Sequence, residues 1–170
     1  MKRKNQLFLT LMVLIINFSL DRITKILATT YLQGRETISF LYNTVVLRYV
    51  ENTGAFLSAG SEWPVFLKYI ALILVPVLFC IYGVYYTVFK LNDRKLVIVF
   101  ASILGGAFGN LVDRLINDFS VVDFLNFGLG SLRTGILNVA DMSVTFGVTY
   151  LIIYQLMEAK KKEKTTEPEV

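Results

Sequence analysis

Four aspartates, Asp21, Asp113, Asp123 and Asp141, hold most of the chemistry available to this sequence. Histidine is absent, and the single cysteine, Cys80, sits in an apolar run. Ser-His and Cys-His dyads, His-ligated zinc, a thiolate metal site and a disulfide within the chain are therefore excluded or disfavoured. Carboxylates remain as the groups that could move protons. When two of them lie close together, repulsion raises one pKa and the pair holds one proton near neutral pH. The ionised member can take a proton from water as it attacks a peptide carbonyl, while its partner donates to the oxygen or the leaving amine. No metal or cofactor is required. Asp123 and Asp141 are the two acids without an obvious local counter-ion, so they are the candidate pair.

Local spacing supports a polar site between helices. Asn110, Asp113 and Arg114 stand at i, i+3 and i+4, which puts them on one helix face. Asn138 and Asp141 stand at i and i+3 on the next apolar segment. Arg114 reads as the counter-ion of Asp113, making both supporting residues, and Asp21 reads as supporting too. Amides such as Asn52 and Asn138 could orient the acids or a scissile carbonyl. The small residues Gly105-Gly106-Ala107-Phe108-Gly109 would let another helix approach closely.

The elements that must position these groups are membrane spans. The chain is 55% hydrophobic and only 18% charged, below the roughly one-quarter typical of soluble domains. A span needs about 20 apolar residues at ~1.5 Å each. Four segments qualify, at residues 7–27, 65–89, 96–116 and 135–157. Of 17 Lys and Arg, ten fall at Lys2–Lys4, Lys90–Lys95 and Lys160–Lys164, which an even number of crossings puts on one side. The positive-inside rule makes that side the cytoplasm, so both termini are expected there. The net charge of +4 is then a topology signal and not a nucleic-acid footprint. The N-terminal segment lacks a small-x-small cleavage site, so it reads as an uncleaved span.

Two segments, 28–64 and 117–134, are left on the outer side. Thr37–Tyr42 and Thr44–Val50 are rich in β-branched and aromatic residues with Tyr42-Asn43-Thr44 as a turn, which predicts a hairpin over the outer membrane face. Phe119–Val122 could add a short strand. The expected fold is an all-α membrane protein of four transmembrane helices with a small extracytoplasmic β-sheet between helices 1 and 2. Residues 1–160 form one domain, and 161–170 a disordered cytoplasmic tail. All four aspartates then fall near the outer surface. A charge at a span's centre costs roughly 2.5–3.5 kcal/mol, so four of them need partners or a wet cavity unless they simply reach headgroups.

Five ordered blocks resemble bacterial lipoprotein signal peptidase (signal peptidase II). Asp21-Arg22-Ile23-Thr24-Lys25 is similar to its D-x-x-T-K motif, and Asn52-Thr53-Gly54-Ala55 to N-x-G-A. Gly105–Arg114 resembles G-G-A-x-G-N-L-x-D-R, Val121–Phe124 resembles V-V-D-F, and Leu137–Asp141 resembles F-N-x-A-D. The resemblance implies an aspartic endopeptidase that cleaves diacylglyceryl-modified prolipoproteins on the amino side of the lipidated cysteine. It implies Asp123 and Asp141 as the catalytic dyad. Asp21, Lys25, Asn52, Gly54, Asn110, Asp113, Arg114 and Asn138 would shape the site or bind substrate. It further implies no cofactor, contact with membrane lipids, inhibition by cyclic peptides of the globomycin class, and residence in the bacterial inner membrane. A groove between helices, open to lipid, follows from such a substrate. Departures are Phe56-Leu57 where the pattern has Ala-Phe, Leu137 for Phe, and Met142 for a small polar residue.

Three other readings compete. An ion- or proton-coupled transporter would spread acids through the bilayer, yet Leu7–Leu20, Ile70–Val84 and Val97–Leu104 contain none. A structural scaffold leaves Asn52–Ala55 and Asp123 without a role. A Ser-Lys peptidase using Ser58 or Ser61 with Lys68 lacks a telling spacing.

Overall fold

In a medium without water, each backbone N–H must be bonded within its own segment, and long apolar stretches become helices. The computed structural model describes residues 2–55 and 58–166, with side chains as far as Lys162. Within them, four helices are long and apolar enough to cross a membrane. They are α1 (Arg3–Leu32), α2 (Val65–Phe89), α3 (Arg94–Ile116) and α4 (Val139–Thr166). Helix α3 is the central one: half of its most apolar window is buried, against 17% or less in the others, whose remaining surface is apolar and exposed. Close approach explains its small residues. A Cβ on Gly106 would come within 2.5 Å of the Ala140 carbonyl oxygen, and one on Gly109 within 2.6 Å of Asp21 Oδ2.

Gln6 ties the first helix to the turn after the second. It is buried, and its Nε2 donates to the carbonyls of Thr87 and Leu91 at 2.7 and 2.6 Å. The Thr87 carbonyl is one that the last turn of the helix cannot satisfy itself, and Leu91 lies two residues beyond the helix end. The basic N-terminus therefore lies beside the basic α2–α3 turn. Helix α2 contains a π-helical segment, Tyr69–Leu74, in which the Val75 N–H donates to Ile70. Pro76 follows and cannot donate to Leu72, so the wider turn absorbs the break that proline imposes.

At the other end lies a four-stranded antiparallel sheet in the order β1 (Ile38–Phe40), β2 (Val45–Asn52), β3 (Val121–Leu129), β4 (Leu132–Arg133). The predicted hairpin is present, with Leu41, Tyr42 and Asn43 all at positive φ in its turn. The second outer segment contributes more than the short strand expected of it. Val121–Leu129 pairs along β2 from Val45↔Phe127 to Asn52↔Val121, with an irregularity between Leu47 and Val50. Ala28, Leu32 and Phe124 pack the sheet onto the end of α1.

Three helix ends differ most from the sequence reading. Helix α1 runs on to Leu32 instead of ending at residue 27, so Asp21–Lys25 lie about two to three turns before its end. Helix α4 starts at Val139 instead of Gly135, because Leu137 bridges to Leu125 of β3 and holds the preceding residues in the sheet layer. It continues through Thr166, where a disordered tail was expected from residue 161; its Glu, Ala and Lys side chains favour helix. Phe56 and Leu57, the departure noted above, lie outside the described residues, as do 167–170.

Candidate active site

The pairing of β2 with β3 brings the two outer segments together although two helices separate them in sequence. Val50 faces Asp123 across the ladder, and Asn52 ends the same strand. Asn52 Oδ1 accepts from the Gly54 N–H at 2.9 Å, closing a side-chain turn, while its Nδ2 donates to Asp123 Oδ2 at 3.0 Å. A Cβ on Gly54 would meet the backbone of Ser58 and Ala59 at 2.7 Å, so this turn requires glycine. Asp123 itself is only 2% exposed.

Asp141 is placed by a helix cap. Asn138 Oδ1 accepts from the Asp141 N–H at 2.9 Å, and Asp141 Oδ2 accepts from the Asn138 N–H at 3.2 Å. This reciprocal pair is a capping box built from Asn and Asp, and it fixes the Asp141 carboxylate in the first turn of α4. The i, i+3 spacing in the sequence reflects the cap, more than a shared helix face.

One amide joins the two acids. Asn138 Nδ2 donates to Asp123 Oδ1 at 2.6 Å, while its Oδ1 is held by Asp141. Behind it, Asn110 Nδ2 donates to Asp141 Oδ1 at 2.8 Å, and Asn110 Oδ1 accepts from Lys25 Nζ at 2.8 Å. An ammonium only donates, so Lys25 sets which end of the Asn110 amide faces Asp141. Lys25 is 1% exposed and also pairs with Asp21 Oδ2 at 2.7 Å and Asp113 Oδ2 at 2.6 Å. Asp21 Oδ1 in turn accepts from the Ala140 N–H at 3.0 Å, tying α1 to the start of α4.

Burial, and then the nearby Asp141 carboxylate, push the Asp123 carboxyl up to about 6; hydrogen bonds from Asn52 and Asn138 oppose this. A group poised there can hold a proton near neutral pH and give it up. Asp141, Asn110, Arg114 and Ala55 close one end of a groove of about 620 Å³ between α2, α3 and α4. Its walls are otherwise mostly apolar, including Leu72 from the π-helical segment, Val75, Phe79, Val144 and Val148. This is the helix-lined groove expected above.

The structure therefore gathers Asp21, Lys25, Asn52, Gly54, Asn110, Asp113, Arg114, Asn138, Asp123 and Asp141 into one hydrogen-bonded region. It corrects one pairing. Arg114 is not the partner of Asp113: successive residues on a helix point about 100° apart. Asp113 pairs instead with Arg22 and Lys25 of α1. Arg114 Nη2 donates to the Gly54 carbonyl at 2.7 Å, holding the turn after β2, and Nη1 donates to Asn110 O at 3.2 Å. Arg22 is the site residue that sequence reasoning missed; its position beside Asp21, at the depth of Asp113, was the available signal. Among the described residues, neither Ser58 nor Ser61 shares a hydrogen bond with the Lys68 side chain, so a Ser-Lys dyad gains no support.

Comparison with known proteins gives a consistent picture. A family model described as "Signal peptidase (SPase) II" matches residues 13–157. The lipoprotein signal peptidase of Treponema denticola is 33% identical over 170 residues, covering 95% of this chain and 98% of that protein. That of Borrelia hermsii is 31% identical over 163 residues, covering 93% and 95%, and that of Clostridioides difficile 33% over 159, covering 90% and 98%. A solved bacterial membrane enzyme, determined by the in meso method, superposes with a TM-score of 0.78 at 23% identity, covering 95% of this chain and 93% of that one. This last likeness concerns the fold.

Proposed function

This chain belongs to the signal peptidase II family, and from that premise we propose that Asp123 and Asp141 form the dyad with which it hydrolyses its substrate. The family activity is removal of signal peptides from prolipoproteins by a multi-pass protein of the bacterial inner membrane. The finer reading is that the substrate is diacylglyceryl-modified and that the bond cleaved precedes the lipidated cysteine.

The observation that carries the dyad is the Asn138 amide, bonded to Asp123 through Nδ2 and to the Asp141 backbone through Oδ1. A water held between the carboxyls loses a proton to ionised Asp141 as its oxygen attacks the scissile carbonyl. Protonated Asp123 donates to the carbonyl oxygen, giving a neutral gem-diol. Asp141 then passes its proton to the cysteine amine as the C–N bond breaks, and a gem-diol hydroxyl returns a proton to Asp123. Asp141 suits the ionised role because it lies in the first turn of α4, where the helix dipole favours negative charge. Asp123 suits the protonated role because its carboxyl sits at about 6.

Asn52, Asn138 and Asn110 keep the carboxyls in register, Lys25 orients Asn110, and Arg114 holds the Gly54 turn beside the groove mouth. The apolar groove suits acyl chains arriving from the bilayer, with the peptide crossing the dyad at its polar end. Cyclic peptides of the globomycin class would compete there. The basic termini face the cytoplasm, which puts the dyad near the outer face, where an exported signal peptide ends.

Purified protein should cleave a diacylglyceryl-modified prolipoprotein and leave the unlipidated precursor intact. Equal cleavage of the two would remove the lipid from the substrate definition, and cleavage of neither would refute the reading.

A further inference from the structure

A second polar cavity, of about 470 Å³, lies on the far face of the sheet from the dyad, between the outer part of α1, β2 and the turn joining α3 to β3. Strand alternation separates the two sites. Asn52 and Asp123 point to the dyad, whereas their neighbours Glu51 and Val122 line this second space. Its charged lining is unlike that of the groove: Arg22 and Lys25 come from α1 and Glu51 from β2, with the hydroxyls of Thr29, Thr30 and Ser120 between them.

Lys25 is fully engaged by Asp21, Asp113 and Asn110. Arg22 keeps donors to spare. It is 24% exposed, Nη1 is committed to Asp113, and no other side-chain bond is seen from its guanidinium among the described residues. Ser120 Oγ is buried without a hydrogen-bond partner there. Across the cavity the Glu51 carboxylate accepts from Tyr49 Oη at 2.7 Å, and the residue stays exposed. Burial and that carboxylate push the Tyr49 phenol up to about 12, so it remains a donor. Just inward of Asn117, which lines the cavity, the surface of α3 is apolar and exposed at Leu115 and Ile116.

We propose that this cavity binds the zwitterionic headgroup of a phospholipid, with the phosphate on Arg22 and the buried Ser120 hydroxyl and the ammonium on Glu51. The acyl chains then run down the apolar surface of α3 at Leu115 and Ile116. A diacylglyceryl thioether carries neither charge, so the proposed substrate lipid does not account for this lining. A soluble phosphate ester would satisfy the polar half alone; the apolar surface below the headgroup favours the lipid.

Native mass spectrometry of the purified protein, titrated separately with phosphatidylethanolamine, phosphatidylglycerol and soluble phosphoethanolamine, tests this without reference to cleavage. Phosphatidylethanolamine should be retained over phosphatidylglycerol by up to about fivefold, the range of an exposed ion pair. Glu51→Gln should bring that ratio to about one, and Thr29→Leu, which fills the cavity, should abolish retention of both lipids. A circular-dichroism melt unchanged in each variant separates lost binding from lost folding. No lipid retained by the wild type, the same ratio in Glu51→Gln, or retention unaffected by Thr29→Leu would overturn the proposal. Displacement of bound lipid by phosphoethanolamine at equal concentration would overturn the lipid in favour of a soluble phosphate.

Discussion

Replacing Lys25 with methionine removes one buried ammonium from three partners while nearly preserving side-chain length. Asp113 keeps the guanidinium of Arg22, but Asp21 keeps only the Ala140 N–H, leaving a buried carboxylate without a counter-charge. Breaking a buried ion pair from one side costs roughly 3–5 kcal/mol. At about 2–4 °C per kcal/mol for a chain of this size, the melting temperature should fall by about 6–20 °C. The double variant Lys25→Met/Asp21→Asn removes the stranded charge and should recover a substantial part of that loss, a non-additivity that a double-mutant cycle reads directly. Thermal unfolding in a fixed detergent, followed by circular dichroism, is the assay. A Lys25→Met protein within about 1 kcal/mol of wild type, or a double variant no more stable than the single one, would refute Lys25 as the hub of the site.

Other consequences follow from the same geometry. Asn138→Ala should cost about 0.5–2 kcal/mol through the lost helix cap and also abolish cleavage, whereas Asn138→Ser restores the cap acceptor and so the melting temperature, but not the rate, because no amide reaches Asp123. The kcat/KM profile should fall as pH rises through about 6, where Asp123 loses its proton. Because that pKa is higher in the folded chain than the ordinary 3.8, its contribution to stability is fully present below about pH 4 and lost as pH rises through about 6. In Asp141→Asn the Asp123 carboxyl, followed by carboxylate infrared bands, should titrate lower than in wild type yet above the ordinary value, since burial is the larger cause. Gly106→Ala should cost about 1–3 kcal/mol, because the new Cβ meets the backbone of α4 and not a side chain that can turn away.

The parts of the fold that could be read from the sequence are those set by local pattern. Apolar length marks the four spans, and β-branched alternation with the Tyr42–Thr44 turn marks the first hairpin. The glycines at 105, 106 and 109 anticipate close helix contact, which Gly106 and Gly109 make with Ala140 and Asp21. Long-range partners were less legible. Whether Asp113 meets Arg114 or Arg22 depends on the rotation of two helices about their own axes, which neither sequence contains alone. The full length of strand β3 is not legible because its second half, Asn126-Phe127-Gly128-Leu129, breaks the β-branched pattern, and its pairing with β2 follows from the helices between them. The Asn138–Asp141 spacing was visible, but it also fits a helix face, and only the bridge from Leu137 to Leu125 stops the helix early enough to make it a cap.

The central claim is that two carboxylates on different elements, one on β3 and one in the first turn of α4, perform the hydrolysis together. The most direct measurement is the cleavage rate of a lipidated prolipoprotein by Asp123→Asn and by Asp141→Asn, each verified as folded by its melt. General acid–base catalysis contributes about 10²–10⁴-fold, so each variant should lose at least the lower of these, and the pair together little more than either alone. Near wild-type cleavage by either folded variant would contradict the account.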